Sequence, residues 1–181
     1  MATQDNELTR RNVIKLGAAA TVAASLGVAH VEAQARPGGF LTDAEFATLD
    51  ELSEMIIPTD AQSPGARAAK VAAFIDARLA EAWDEKDRTD WRAGLGVVER
   101  LSQEMHGAPF MKASSEQRVA VLTRMAQNEG KAQKAEELFF KELKERVIQA
   151  YYTSEIGIKQ DMEYKGNTPL AEFVGYDVSK E

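Results

Sequence analysis

Apolar residues recur at intervals of three and four positions along most of the chain, the spacing of one face of an α-helix. The first such stretch follows Thr42-Asp43-Ala44-Glu45, a capping box in which Thr42 begins the helix and Glu45 reaches back to it. Pro58 ends this helix because it lacks a backbone N–H and disfavours helix at the preceding residue. Residues Thr59 to Gly65 are then expected to form a loop. The apolar face of the first helix comprises Phe46, Leu49, Leu52, Ser53 and Ile56.

The same spacing predicts four further helices. They cover about Ala68 to Trp83, Thr89 to Met105, Ser114 or Ser115 to about Asn128, and Lys131 to Tyr152. The polar run Asp84 to Asp87 separates the second helix from the third, and Gly107 and Pro109 end the third. Gln117 is a candidate capping-box partner in the fourth helix. The apolar faces comprise Val71, Phe74, Ile75, Leu79 and Ala82; Trp91, Leu95, Val98, Leu101 and Met105; Val121, Leu122 and Met125; and Leu138, Phe139, Leu143, Val147, Ile148 and Tyr151.

The sequence shows no convincing pair of strands and no internal repeat, so it predicts an all-α fold of about five helices in a compact bundle. Residues 153–181 differ from the rest, since glycine, asparagine and proline are scattered among large apolar groups. This composition indicates an irregular tail that covers either its own core or a partner, and the two alternatives stay open. The aromatic residues that point to a partner are Tyr151, Tyr152, Tyr164, Phe173 and Tyr176.

The first 35 residues have the sequence features of an export signal. Thr9-Arg10-Arg11-Asn12-Val13-Ile14-Lys15 precedes a short, alanine-rich apolar stretch, and Ala33-Gln34-Ala35 is a small-residue cleavage site. The Arg10-Arg11 pair and the mild hydrophobicity of the apolar stretch favour the twin-arginine route over an ordinary secretory signal or an uncleaved anchor. The sequence therefore predicts a signal peptide at 1–35, a helical domain at 36–181 with a partner-covering tail at 153–181, and a periplasmic location.

Charge and cysteine content narrow the class of protein. The chain carries a net charge of −7, and the predicted signal contributes three basic and three acidic residues, so the remaining domain is equally acidic. Acidic surfaces are poor partners for nucleic acid and for anionic lipid. The absence of cysteine excludes disulfides, cysteine-bound iron–sulfur clusters and covalently attached c-type haem in this chain.

Few residues suit catalysis. Gly94-Leu95-Gly96 lacks the third glycine and the preceding strand of a dinucleotide-binding loop, and it is expected to allow close helix packing instead. His106, the only histidine after residue 35, is expected to cap a helix end rather than to act as a base. Trp83 and Trp91 are expected to anchor the core. The carboxylates near apolar faces are expected to be solvated; they are Glu54, Asp76, Glu99 and Glu104.

Three blocks of sequence resemble a known family. They are Phe139 to Lys144, then Tyr151-Tyr152-Thr153-Ser154-Glu155-Ile156-Gly157, then Tyr164-Lys165-Gly166-Asn167. Ile56-Ile57-Pro58-Thr59-Asp60, Pro64-Gly65-Ala66, Val71 and Phe74-Ile75-Asp76 are similar to the same family nearer the N-terminus. The chain from Leu41 to Phe173 resembles the gluconate 2-dehydrogenase subunit 3 family.

This resemblance implies a small, non-catalytic subunit beside a large FAD-dependent dehydrogenase of the glucose–methanol–choline type. Such complexes act on sugars, sugar acids or glycosides, and a cytochrome c subunit with haem c often accepts the electrons. The resemblance carries no catalytic, cofactor-binding or metal-binding residue onto this chain. It implies a role in partner contact for Tyr151, Tyr152, Glu155, Ile156, Tyr164, Gly166 and Asn167.

Two alternatives to the accessory subunit remain. One is a stand-alone periplasmic enzyme that uses carboxylates, and the other is a helical protein that binds a small ligand. Sugar turnover by the isolated chain would favour the first alternative. Thermal stabilisation of a well-behaved monomer by a ligand would favour the second.

Overall fold

The computed structural model describes residues 38–166, and every regular element in that range is helical. The helices are α1 (Asp43–Ile56), α2 (Gly65–Ala68), α3 (Val71–Glu81), α4 (Glu85–His106), α5 (Ser115–Met125) and α6 (Ala135–Tyr152). Two single 3₁₀ turns, Phe110–Lys112 and Glu129–Lys131, precede α5 and α6, and a π-helical turn, Gly157–Asp161, follows α6. The predicted all-α class is confirmed, and none of the helices within 38–166 is both long and apolar enough for a membrane span.

Helix α6 lies at the centre and packs against α1, α3, α4 and α5. Its inner face buries Phe139, Phe140, Leu143, Val147 and Tyr151. The ring of Phe139 meets that of Trp91 on α4 edge to face, with centroids 5.6 Å apart, a geometry that adds about 1 kcal/mol to the burial of the two rings. The segments that follow α6 in the chain are therefore attached to the helix at the centre of the core.

The predicted helix ends are correct at the positions where a capping residue close in sequence determines them. Thr42 and Glu45 form the reciprocal capping box of α1, Ser114 and Gln117 form that of α5, and Gly107 ends α4 with a φ of 69°. Other boundaries differ. The predicted second helix, Ala68 to Trp83, is shorter in the structure and forms α3, because Lys70 just before it has a φ of 56°. Most of α2 lies before the predicted start.

Helices α4 and α6 also begin at places that the apolar pattern did not predict. Helix α4 starts four residues earlier than expected because Asp84 caps it: its side chain accepts the N–H of Lys86 at 2.8 Å. The polar run at 84–87 is thus the solvated first turn of a helix. Helix α6 starts four residues later than expected, at Ala135, because the chain before it forms a separate 3₁₀ turn.

The start of α6 is held by Glu137, which is buried. Its carboxylate accepts the N–H of Gln133 at 3.0 Å, the side-chain amide of Asn128 at 2.7 Å and the N–H of Lys134 at 3.1 Å. Hydrogen bonds to the ionised form, first of all from Gln133, lower the pKa of Glu137 from 4.5 to about 2.

This pKa predicts an acid-dependent loss of stability. Because the folded pKa lies below the unfolded one, Glu137 stabilises the fold above pH 4.5, and that contribution disappears as the pH falls from 4.5 towards about 2. Melting temperatures measured across this window should fall more steeply for the wild-type chain than for Glu137→Gln. Parallel pH profiles for the two proteins would contradict the assignment.

Three carboxylates expected to be solvated accept hydrogen bonds from the backbone, and the expectation was wrong for Asp76, while Glu54 and Glu99 are half-buried. Asp76 is buried on α3, and its Oδ1 accepts the N–H groups of Phe40 and Leu41, both at 2.8 Å. Glu99 accepts the N–H of Phe110 at 3.0 Å, and Glu54 binds the loop after α1, as described below. Glu104 is exposed as expected.

Asp76 fixes the segment that leads into α1. A Cβ added to Gly39 would lie less than 3.0 Å from the Asp76 carboxylate, so glycine lets the backbone approach. The guanidinium of Arg92 lies 4.2 Å from the centroid of the Phe40 ring and donates to the Phe40 carbonyl at 3.1 Å. Leu41 is fully buried. The entry of the chain into the domain is therefore clamped by α3 and α4.

Candidate partner-binding surface

The loop after α1 is organised by two carboxylates. Glu54 accepts the N–H and the hydroxyl of Thr59 at 3.0 and 2.7 Å through Oε1, and the N–H of Arg67 at 2.9 Å through Oε2. Desolvation raises the pKa of Glu54, but these hydrogen bonds outweigh it and lower the pKa overall. Oδ1 of Asp60 accepts the N–H groups of Gln62 and Ser63, both at 2.7 Å, which lowers the pKa of Asp60. The loop is thus a fixed structure.

This loop is joined to the end of α6 by a hydrogen bond between Ser63 Oγ and the Tyr151 hydroxyl, 2.8 Å long. The Tyr151 side chain has 0% exposure. The N–H of Gly65 also donates to Ser63 Oγ, at 3.2 Å. Two sequence blocks that lie 88 residues apart therefore meet in the fold.

The turn after α6 depends on Ser154 and Gly157. Ser154 Oγ donates to the Tyr151 carbonyl at 2.6 Å and accepts the N–H of Gly157 at 3.0 Å. A Cβ on Gly157 would lie less than 3.0 Å from the Tyr151 carbonyl, and backbone atoms cannot move aside as a flexible side chain would. Glycine at 157 therefore lets the chain fold back against the end of α6.

This turn presents three large exposed side chains, and we call Tyr152, Met162 and Tyr164 the C-terminal surface. Tyr152 is 40% exposed and Tyr164 is 52% exposed. The Tyr152 ring packs edge to face on Tyr151 with centroids 5.1 Å apart. Its hydrogen bond to Asp161, followed by burial, raises the pKa of Tyr152, and this hydrogen bond orients the hydroxyl. The surface combines apolar area with fixed polar groups, the composition of protein interfaces.

A comparison with protein families matches residues 43–169 to gluconate 2-dehydrogenase subunit 3. The chain belongs to this family. Neither the curated proteins nor the solved structures gave a match. The match covers α1 to α6 and the turn after α6, so it includes both blocks joined by Ser63 and Tyr151. The family's description implies membership of a gluconate dehydrogenase complex.

The structure of this subunit 3 chain places the predicted partner-contact residues in different environments. Tyr152, Glu155, Tyr164 and Gly166 are exposed, and Glu155 forms an ion pair with Lys159 at 2.7 Å. Ile156 is half-buried against the core. Tyr151 is fully buried and offers no side-chain surface in this conformation. Asn167, like the predicted signal residues Arg10 and Arg11, lies outside the described residues.

Sequence reasoning missed several exposed apolar residues of the subunit 3 domain. Phe74, Leu138 and Ile148 were assigned to buried faces, and Trp83 to the core, yet all four are exposed. Trp91 is buried, as expected. Met162 was not singled out as a contact residue. No local sequence signal distinguishes the exposed Trp83 from a tryptophan that anchors the core.

Gly94 and His106, which were considered for chemistry, both lie in α4. Gly94 lies in the middle of α4, and a Cβ there would overlap the Phe139 ring, so the expected role of the glycine pair in close packing is confirmed for Gly94. His106 is half-buried in the last turn of α4, and its Nε2 is shielded from water without a hydrogen-bond partner. Within residues 38–166, no three or more His, Cys, Asp or Glu side chains are grouped as a metal site.

Proposed function

We propose that this chain is a non-catalytic small subunit that binds and stabilises an FAD-dependent dehydrogenase of the glucose–methanol–choline type. The enzyme subunit would oxidise gluconate, another sugar or a glycoside. The observation that carries the proposal is the family match over residues 43–169, which spans the whole framework of the C-terminal surface. A cytochrome c subunit that receives the electrons is a further proposed partner.

The C-terminal surface supports the proposal because its side chains are exposed but their positions are fixed. The turn is tied to α6 through Ser154, and Tyr152 is oriented by Asp161. Immobilising a flexible side chain on binding costs about 0.5–1.5 kcal/mol, and pre-organised residues avoid most of this cost. Tyrosine is also enriched at interfaces and among the residues that dominate binding energy.

The flavin is assigned to the partner because the glycine pair considered for a dinucleotide loop does not fit it. A dinucleotide site uses a glycine-rich turn between a strand and a helix, where the backbone can approach the pyrophosphate. Gly94-Leu95-Gly96 is inside α4, and the space beside Gly94 is filled by Phe139. The chemistry of hydride removal therefore belongs, in this proposal, to the large subunit.

Export is the second part of the proposal. Residues 1–35 would direct this chain, and the folded flavoprotein bound to it, through the twin-arginine translocase to the periplasm. The Arg10-Arg11 motif and the cleavage site at Ala33-Gln34-Ala35 support this route. The small subunit would then act as an escort as well as a stabilising partner.

The test is a pull-down of the tagged chain from its native source, followed by mass spectrometry and a flavin absorbance spectrum. We expect a yellow polypeptide several times larger to co-elute in fixed stoichiometry, and dye-linked sugar oxidation to require that polypeptide. The double variant Tyr152→Ala/Tyr164→Ala should weaken the complex at least about tenfold. The control Met111→Ala/Val119→Ala removes side chains of similar exposure, 42% and 55%, and should bind like the wild type.

Three results would contradict the proposal. Sugar turnover by the isolated chain would show a stand-alone enzyme. A monomer that recovers no flavoprotein and is thermally stabilised by a small ligand would show a binding protein. Equal loss of binding in the two double variants would remove the C-terminal surface from the proposal.

A further inference from the structure

Trp83 is fully exposed, with 101% of the area it has in an extended peptide. It occupies the corner between α3 and α4. Tryptophan is the side chain whose exposure leaves the most apolar area in water, and it is the type most enriched among residues that dominate binding energy. Its exposure is therefore the feature of this corner that needs an explanation.

The corner restrains the backbone on both sides of Trp83. On one side, the N–H of Ala82 donates to the Leu79 carbonyl at 3.3 Å and closes the last turn of α3. On the other side, Asp84 caps α4 through its 2.8 Å hydrogen bond to the N–H of Lys86. Only one residue lies between these two anchored positions. The indole is therefore carried on a short, restrained connection.

Apolar surface continues from the corner along α3. Phe74 is 43% exposed, and the Arg78 guanidinium lies over its ring, 5.3 Å from the centroid. Next to it, a depression of about 290 Å³ is lined by Ile75 and Leu79 of α3, by Ala82 just after that helix, by Trp91 of α4 and by Arg146 of α6. Trp83 thus stands at the edge of a partly apolar area and projects from it. A projecting ring suits insertion into a pocket on a protein partner, since the residues that dominate binding energy at interfaces fill well-packed, desolvated pockets.

Charges around the corner identify the occupant further. Glu81, Asp84, Glu85 and Asp87 are all exposed within four residues of Trp83. Of the nearby cations, Lys86 pairs with Asp90 and Arg78 with Glu81. Residues 78–90 hold five acidic and three basic side chains, so the surroundings of the indole are negative overall. A negative rim repels the anionic headgroups of a membrane surface, and it complements a protein pocket bordered by lysine or arginine.

We propose that Trp83 is an anchor residue that enters an apolar pocket, bordered by basic side chains, on the large dehydrogenase subunit. This inference rests on the proposed function. It gives the chain a second area of contact with the large subunit, besides the C-terminal surface. The acidic residues at the start of α4 steer the approach, and the indole supplies binding energy once its surface is buried.

The first arm of the test compares Trp83→Ala with Val119→Ala, which truncates another exposed apolar residue. Trp83→Ala should weaken binding to the purified flavoprotein at least about tenfold, mainly through faster dissociation. Its melting temperature should equal that of the wild type, because the exposed indole has no hydrogen bond or ring contact in residues 38–166. Val119→Ala should change neither quantity.

The second arm tests the charge with the same substitution at two positions on one helix. Glu85→Gln lies beside Trp83, and Glu104→Gln lies near the other end of α4. At low salt, Glu85→Gln should slow association by about two- to fivefold. Glu104→Gln should leave the association rate unchanged, and the difference should vanish at high salt.

The third arm is hydroxyl-radical footprinting, which does not depend on any variant. Oxidation of Trp83 should be fast in the free chain and fall at least fivefold in the complex, while buried Trp91 stays slow in both. A Trp83 that remains reactive in the complex would overturn the inference. So would a protected Trp83 in a self-associated chain without flavoprotein, or in the presence of phosphatidylglycerol vesicles alone.

The anchor role of Trp83 and the proposed accessory function can be disproved separately. If the wild-type chain binds the flavoprotein and Trp83→Ala binds equally well, the anchor is wrong and the accessory function stands. If the wild-type chain binds no flavoprotein, the proposed function fails and the anchor fails with it. If Trp83→Ala lowers the melting temperature, footprinting of the wild-type complex decides whether Trp83 is an anchor residue.

Discussion

Removal of residues 1–35 should leave both this chain and its dehydrogenase partner in the cytoplasm. The twin-arginine route carries proteins that have already folded and bound their cofactors, so a flavoprotein without its own signal depends on the leader of its partner. We expect dye-linked sugar oxidation in the periplasmic fraction to fall to the background level. Immunoblots of both subunits in cytoplasmic and periplasmic fractions measure the effect directly.

The matched variant is Arg10→Lys/Arg11→Lys, which keeps the charge of the leader and changes only the guanidinium groups. A twin-arginine signal should lose export with this change, whereas an ordinary secretory signal needs only positive charge before its apolar stretch. The cytoplasmic complex should remain active, because the leader lies outside the family match. A flavoprotein that still reaches the periplasm would contradict the escort role.

The substitution expected to destabilise the fold most is Gly94→Ala. The added Cβ would lie less than 3.0 Å from three atoms of the Phe139 ring, and that ring is itself packed against Trp91. Over-packing of a core costs about 1–3 kcal/mol and sometimes more. We expect the midpoint of urea unfolding to fall substantially and binding to the flavoprotein to weaken, because α6 supports the C-terminal surface.

Gly96→Ala is the control, since it makes the same change two residues later on the same helix. A Cβ at Gly96 meets no atom within 4 Å, so only helix propensity changes. Alanine is better than glycine in a helix by about 1 kcal/mol, and this variant should be more stable than the wild type. If both variants shift the unfolding midpoint in the same direction, the close contact between α4 and α6 is not as described.

The predicted fold was right where residues near in sequence decide the outcome. The capping boxes of α1 and α5 and the left-handed Gly107 at the end of α4 each involve groups within four residues of one another. The wrong expectation for Asp76 has the opposite origin. Its partners Phe40 and Leu41 lie 36 and 35 residues away, so no local pattern could show that this carboxylate is buried.

The candidate surface could be predicted as a region but not residue by residue. Tyr151 and Tyr152 are adjacent, and successive helix positions are rotated by about 100°, so one points inward to Ser63 while the other faces solvent. Which tyrosine is buried depends on the loop after α1, 88 residues earlier in the chain. Trp83 escaped prediction because the sequence does not tell a helix end that folds inward from one that turns outward.

The clamp at Asp76 has a mechanical consequence for the proposed export. A pull on the chain before Gly38 would reach Phe40 and Leu41, whose N–H groups are both bound to Asp76 on α3, and Arg92 holds Phe40 from α4. The turn that carries Tyr152 and Tyr164 is attached elsewhere, to the end of α6 and the loop after α1. In the proposed export, a pull on the leader would therefore act on one attachment of the domain, while the proposed partner would bind at a surface that is attached elsewhere.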